Sequence, residues 1–146
     1  MVGAYLDASV LASLLLEEAT SDQVDRWISD ADRPLVVSDL ASAEVSSAVS
    51  LAVRTQREDI SSGRQLLADF DAWLKAAAVL RVDIEPEDIR TADHFVRRFE
   101  LKLRTPDAIH AAMAQRLGAT LITLDRRLLR AAAALGVEAI SPGGPE

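Results

Sequence analysis

Four carboxylates, Asp7, Glu44, Asp107 and Asp125, stand where acids can do joint chemistry. Asp7 directly follows the apolar run Val2 to Leu6, and Asp125 directly follows Ala119 to Leu124. On a helix, Glu44 would have Leu40, Ala48 and Leu51 at i−4, i+4 and i+7, so its surface neighbours are apolar. Asp107 opens a segment that is otherwise almost wholly apolar: Ala108, Ile109, Ala111, Ala112, Met113, Ala114 and Leu117. A helix apolar all round is buried, and a buried charge must be paired or bind a metal. Converging carboxylates raise one another's pKa unless a cation lies between them. Hard oxygen ligands suit Mg²⁺ or Mn²⁺. One or two such ions can activate a water and stabilise the leaving oxygen at a phosphodiester. Taken singly, each acid also has a plainer explanation. Asp7 and Asp125 can be turn formers or helix N-caps, and Glu44 and Asp107 can be acids favoured by a helix dipole. Taken together, the four point to a metal-dependent nuclease.

Alternating elements are needed to position these acids. Val2 to Leu6 reads as a buried strand ended by Asp7, followed by helices over Ala8 to Glu18 and Ser21 to Ala31. Thr20 or Ser21 would cap the second, whose apolar stripe is Val24, Trp27 and Ile28. Pro34 to Ser38 is a second strand, and Asp39 is the expected N-cap of a helix reaching Gln56. On it Ala41, Val45, Ala48, Val49 and Ala52 mark the core face. A helix over Ser61 to Ala78 carries Leu66, Phe70, Trp73 and Leu74 at i, i+4, i+7 and i+8. Val79 to Ile84 alternates as a third strand, and Pro86 opens a helix reaching Phe99. Thr105 as N-cap and Pro106 at the first helical position start the next helix, which Gly118 closes. Ala119 to Leu124, Arg126 to Leu135 and Val137 to Ile140 complete the pattern as strand, helix and strand.

Strands that alternate with helices pair in parallel through right-handed crossovers. The expected fold is therefore α/β: a three-layer α/β/α sandwich with a short parallel sheet. It forms a single domain over 1–141, with a Gly- and Pro-rich tail at 142–146 that frays. Such folds bind ligands in the crevice beyond the carboxyl ends of the strands. Asp7, Asp125 and, one turn into its helix, Glu44 all fall at that edge.

Composition narrows the classes. With no cysteine, the 146-residue chain has no disulfides, thiolate metal sites or cysteine nucleophiles, which fits a reducing compartment. The first residues lack a basic leader, and no apolar run approaches the ~20 residues of a membrane span. A cytoplasmic location is expected. The net charge is −7, but the segment from Arg97 to Arg130 holds eight basic residues against three acids, so it carries +5 and the remainder −12. Local charge of that kind can attract phosphates. Arg104, Arg126 and Arg127 lie beside the acids in sequence and are candidate contacts for the phosphates of a nucleic acid. Neither His94 nor His110 belongs to an i, i+4 pair, and there is no Gly-rich phosphate loop or GxSxG elbow. His110 is read as a packing or supporting residue rather than a base.

The segments Tyr5-Leu-Asp-Ala-Ser-Val10, Ala43-Glu-Val45, Thr105-Pro-Asp-Ala-Ile-His-Ala111 and Leu121-Ile-Thr-Leu-Asp125 resemble the motifs of PIN-domain ribonucleases. Their size and order resemble the VapC-type toxins of toxin–antitoxin pairs, over nearly the whole chain. The resemblance implies a PIN-like fold and Mg²⁺- or Mn²⁺-dependent endonucleolytic hydrolysis of RNA by water. It implies that Asp7, Glu44, Asp107 and Asp125 form the catalytic, metal-binding quartet, with Asp7 and Asp107 as direct ligands. Glu44 and Asp125 would act through water or hold a second ion, and Ser9 and Thr123 would orient ligands or water. It implies a cognate antitoxin whose C-terminal arm wraps the toxin, and a toxin homodimer. The stripes Trp27/Ile28 and Leu66/Phe70/Trp73 are candidates for those surfaces, or are simply core. Two other readings stand beside this one: a PIN-like RNA-processing nuclease without an antitoxin, and a non-hydrolytic Mg²⁺-binding interaction domain such as a receiver-like fold. The last type has an acidic pair after strand one and a lysine near the last strand. Here Asp7 is followed by Ala8, and no lysine occurs after Lys102.

Overall fold

The structure, a computed structural model, describes residues 2–143. Five short strands form one parallel sheet: β1 (Ala4–Leu6), β2 (Leu35–Ser38), β3 (Leu80–Val82), β4 (Thr120–Ile122) and β5 (Ala139–Ile140). Their spatial order is β3-β2-β1-β4-β5. Tyr5 is in register with Val36 on one side and Leu121 on the other. The connections are α1 (Ala8–Leu15) and α2 (Ser21–Asp30), α3 (Asp39–Arg54) and α4 (Ile60–Ala76), α5 (Pro86–Val96) and α6 (Thr105–Leu117), and α7 (Arg126–Leu135).

Side chains alternate across a strand, and this alternation splits the core into two layers. Tyr5, Val36 and Leu121 face one way and pack with Ala92, Ile109, Met113, Leu128 and Ala132 of α5, α6 and α7. Ala4, Leu6, Val37 and Ile122 face the other way and pack with Val10, Leu11, Val24, Val45, Phe70 and Leu74 of α1 to α4. The result is the three-layer sandwich expected from the sequence. Arg116 of α6 clamps Asp88 of α5 with two bonds of 2.8 and 2.9 Å and also donates to the Asp83 carbonyl, fastening one helix layer to the β3 edge.

The chain runs β1, β2, β3 in one direction and then returns to place β4 on the opposite side of β1. That reversal puts the switch point, where such folds bind ligands, at the carboxyl ends of β1 and β4. The Asp7 amide bonds the Ile122 carbonyl at 3.1 Å, holding the two strand ends together at this point.

Several boundaries differ from the sequence reading. Ser38, rather than Asp39, caps α3 by accepting from the Ala41 amide at 3.0 Å. Asp39 instead accepts from the Leu40 and Ile84 amides, so Ile84 leaves the ladder and β3 stops at Val82. Arg104, rather than Thr105, is the residue before α6, with no side-chain cap. Helix α1 ends at Leu15 because Leu16 is extended, and the Ser13 and Leu16 carbonyls accept from the Ser21 hydroxyl. The Ser21 hydroxyl is thus not a cap for α2, and the N-cap Thr20 makes no side-chain cap bond. Helix α5 ends at Val96, and a single 3₁₀ turn over Phe99–Leu101 leads to Lys102 at φ 55°. Of the tail expected to fray, 144–146 lie outside the described residues.

Candidate active site

Asp7 sits where β1 hands over to α1. Its extended backbone makes it the N-cap of α1, with Oδ1 accepting from the Val10 amide at 3.2 Å. The Ser9 hydroxyl donates to the same oxygen at 2.6 Å. The residue is only 4% exposed. Burial pushes its carboxyl above the usual range, and the bonds from Ser9 and Thr123 and the nearby His110 oppose that push without cancelling it. Asp125 is the equivalent residue between β4 and α7, accepting at Oδ1 from the Arg127 and Leu128 amides at 2.9 and 3.3 Å. The plain explanation of both acids as N-caps therefore holds, with the cap bonds at Oδ1 of each.

Ser9 and Thr123 knit these two corners together. The Ser9 hydroxyl accepts from the Leu124 amide at 3.0 Å, and the Thr123 hydroxyl, fully buried, accepts from the Asp125 amide at 3.0 Å. Asp107 comes from the first turn of α6 and is partly buried. Burial raises its carboxyl, Arg104 beside it pulls the other way, and the charge of Asp125 raises it further. Arg104 reaches Asp107 at 3.4 Å with a side chain 76% exposed, so this pairing is weak. Glu44 projects from the second turn of α3, its side chain 32% exposed, and meets His110 Nε2 at 2.5 Å.

The four acids are linked pairwise, with His110 bonded to Glu44 as the common neighbour. Asp107 feels Asp125, His110 acts on both Asp7 and Asp107, and Tyr5 feels Asp7 and Glu44. Among the described residues, no three His, Asp or Glu side chains stand close enough to form a ready ligand set. The donor chemistry fits a hard divalent cation all the same. The donors are carboxylate oxygens, and the hydrogen bonds to Asp7 come from the neutral Ser9, Thr123 and Val10 groups.

The chain matches the family model described as PIN domain over residues 4–134. It belongs to the PIN-domain family. It is 37% identical over 145 residues to Ribonuclease VapC46 of Mycobacterium tuberculosis, covering 97% of this chain and 99% of that protein. That likeness places it among the VapC proteins of the family. Two solved structures share its fold. The Mycobacterium tuberculosis VapC20 crystal structure, described as a Sarcin-Ricin loop cleaving toxin, superposes with a TM-score of 0.71 at 18% identity over 92% of this chain and 95% of that one. A toxin–antitoxin complex from Klebsiella pneumoniae gives 0.63 at 20% identity over 97% and 99%.

In this PIN domain the basic candidates divide. Arg104 is spent partly on Asp107. Arg126 and Arg127 are exposed on the first turn of α7. Arg127 also lines a cleft of about 360 Å³ with Glu100, Leu101, Lys102, Arg130 and Ala131. Sequence reasoning missed Tyr5 and Ser38. The Tyr5 hydroxyl, inside the core, lies 2.8 Å from the Ser38 hydroxyl and 2.6 Å from His110 Nδ1. Burial, ahead of the nearby acids, holds the phenol far above its ordinary range. One signal was available: a histidine within an all-apolar helix must find polar partners.

Proposed function

We propose that the chain is an endoribonuclease that hydrolyses RNA phosphodiester bonds with Mg²⁺ or Mn²⁺, and that it is the toxin of a toxin–antitoxin pair. The observation that carries this reading is the buried Asp7 at the switch point of the sheet, hydrogen-bonded only by neutral groups. The near full-length likeness to a ribonuclease supports it.

In this reading Asp7 and Asp107 hold the cation, and Glu44 and Asp125 contribute directly or through water. Bound there, the cation would polarise water and offset charge at the scissile phosphate. The protein's own part is positional. Ser9 and Thr123 lock Asp7 and the β4–α7 corner in place. The burial of Asp7 strengthens the charge–charge interactions it makes. Arg127, with Lys102 and Arg130 in the same cleft, would carry the RNA backbone, with Arg104 and Arg126 as further contacts.

The antitoxin partner has a candidate seat. Leu14, Leu15, Leu66, Phe70 and Trp73 line a groove of about 290 Å³ between α1 and α4, with Asp69 at its rim. Phe70 is core, as the plainer reading of that stripe had it, whereas Leu66 and Trp73 remain partly exposed. A homodimer is part of the same proposal. Among the described residues, no helix is long and apolar enough to cross a membrane.

The test is cleavage of mixed cellular RNA by the purified chain with Mn²⁺ or with EDTA. Wild type should cut only with the metal, and Asp107→Asn should not cut. Near wild-type cutting by Asp107→Asn would overturn the proposed site.

A further inference from the structure

We propose that His110 is a positioning residue that tethers Glu44 in the crevice, itself held by a buried hydrogen-bond circuit through Tyr5 and Ser38. His110 is 2% exposed and sits one turn after Asp107 on α6. Its Nε2 meets Glu44 Oε1 at 2.5 Å, and its Nδ1 meets the Tyr5 hydroxyl at 2.6 Å. The Tyr5 hydroxyl bonds the Ser38 hydroxyl at 2.8 Å, which accepts from the Ala41 amide at 3.0 Å. Ser38 caps α3, and Glu44 lies on that same helix. The circuit therefore leaves α3 at its start, crosses β1 and α6, and returns to α3 at Glu44. The Tyr5 ring meets the imidazole edge-on, with centroids 5.6 Å apart and planes at 62°, so the ring orientation is fixed by packing as well.

The two arrangements of the circuit differ in the protons that the tether needs. If the Tyr5 hydroxyl donates to Ser38, then Nδ1 carries a proton and donates to Tyr5. If Tyr5 donates to Nδ1, then Ser38 donates to Tyr5. In the second case a neutral imidazole donates from Nε2 to Oε1; in the first, the bond to Glu44 takes one further proton, on the imidazole or on the Glu44 carboxyl. A glutamate on a helix surface with a third of its side chain exposed otherwise samples several rotamers. The tether selects one, engages a single carboxylate oxygen, and leaves Oε2 for a cation. Residues that orient metal ligands in this way typically change metal affinity when replaced.

This inference rests on the proposed metal-dependent site, so the experiment carries a control for that site. Mn²⁺ binding to the full chain is measured by calorimetric titration for wild type, Asp7→Asn, His110→Asn, His110→Gln and Tyr5→Phe. A Gln amide nitrogen reaches roughly where Nε2 was and keeps the donor to Glu44. An Asn amide reaches only where Nδ1 was and loses it. His110→Asn should weaken Mn²⁺ binding by about 10–100-fold, and His110→Gln should restore most of that affinity at a similar melting temperature. Equal weakening by both would show that His110 serves packing alone and would overturn the proposal. Wild-type affinity in His110→Asn, with binding lost in Asp7→Asn, would overturn the tether and leave the metal site standing. Undiminished binding in Asp7→Asn would bring down the site itself. If His110→Asn does not fold, Tyr5→Phe breaks the circuit from its far end, and wild-type affinity there would equally overturn the proposal.

Discussion

Asp7→Asn should separate the cost of the buried carboxylate from its use. The substitution keeps the side-chain shape. Asn caps helices about as well as Asp, so its oxygen can still accept from the Val10 amide and the Ser9 hydroxyl. Its new amide can donate to the Thr123 hydroxyl, which hydrogen-bonds Asp7 in the wild type. What disappears is a charge that burial disfavours. Because burial raises the folded-state pKa of Asp7 above its ordinary 3.8, the folded protein binds this proton more tightly than the unfolded chain does. Its contribution is therefore fully present below pH ~3.9 and is lost as pH rises through the raised folded value. The loss has a slope of at most about 1.4 kcal/mol per pH unit. In EDTA at neutral pH, Asp7→Asn should melt no lower than wild type and should lack that slope. Metal reverses the order. Free Mn²⁺ at about 100 times its dissociation constant adds roughly 2.7 kcal/mol. For 146 residues, at about 2.1 cal/mol/K each, the unfolding entropy is about 0.3 kcal/mol/K, so wild type should gain about 9 °C. The mutant should gain almost none. Differential scanning calorimetry of both proteins, in EDTA and in Mn²⁺, gives all four melting temperatures. A mutant several degrees less stable in EDTA, with the metal shift retained, would refute the reasoning and leave Asp7 as only a structural cap.

Two further outcomes concern the surfaces around the crevice. Replacing Lys102 and Arg127 with Ala should weaken RNA binding. It should also reduce the slope of log affinity against log salt by about 1.4, at roughly 0.7 per lost phosphate contact on a single strand; fluorescence anisotropy at four salt concentrations reads both, and an unchanged slope would remove this cleft from the RNA path. Expression from the native operon should yield the chain in complex with a small partner that sets an Arg or Lys among the acids. Purification of the chain as a free protein, with no growth defect when it is expressed alone, would remove the toxin role while leaving the nuclease intact.

Much of the fold was legible because hydrophobic period and punctuation agreed. Helix α7 was delimited correctly at Arg126 and Leu135 because Asp125 caps it and Gly136, at φ 74°, ends it. Gly118, at φ 61°, ended α6 in the same way. The errors arose where a distant partner decided a local choice. Asp39 looked like a cap but is drawn to the Ile84 amide, 45 residues away, leaving the role to Ser38. Ser21 looked like a cap but closes the end of α1. The acids were legible singly, from the apolar sequence around each. Their supports were not, because the Tyr5–His110 contact joins residues 105 apart and the Glu44–His110 contact residues 66 apart. No spacing rule within one helix or strand predicts those bonds.

The central claim is metal-assisted attack by water at an RNA phosphate, and the chemistry of the new RNA ends tests it most directly. Attack by water leaves no cyclic phosphate, whereas attack by the neighbouring 2′-hydroxyl forms one. A short single-stranded RNA cut by the purified chain in Mn²⁺, with fragments weighed by mass spectrometry, should give only linear ends, with no fragments in EDTA or from Asp7→Asn. Fragments ending in 2′,3′-cyclic phosphate, or cutting that persists in EDTA, would contradict the account.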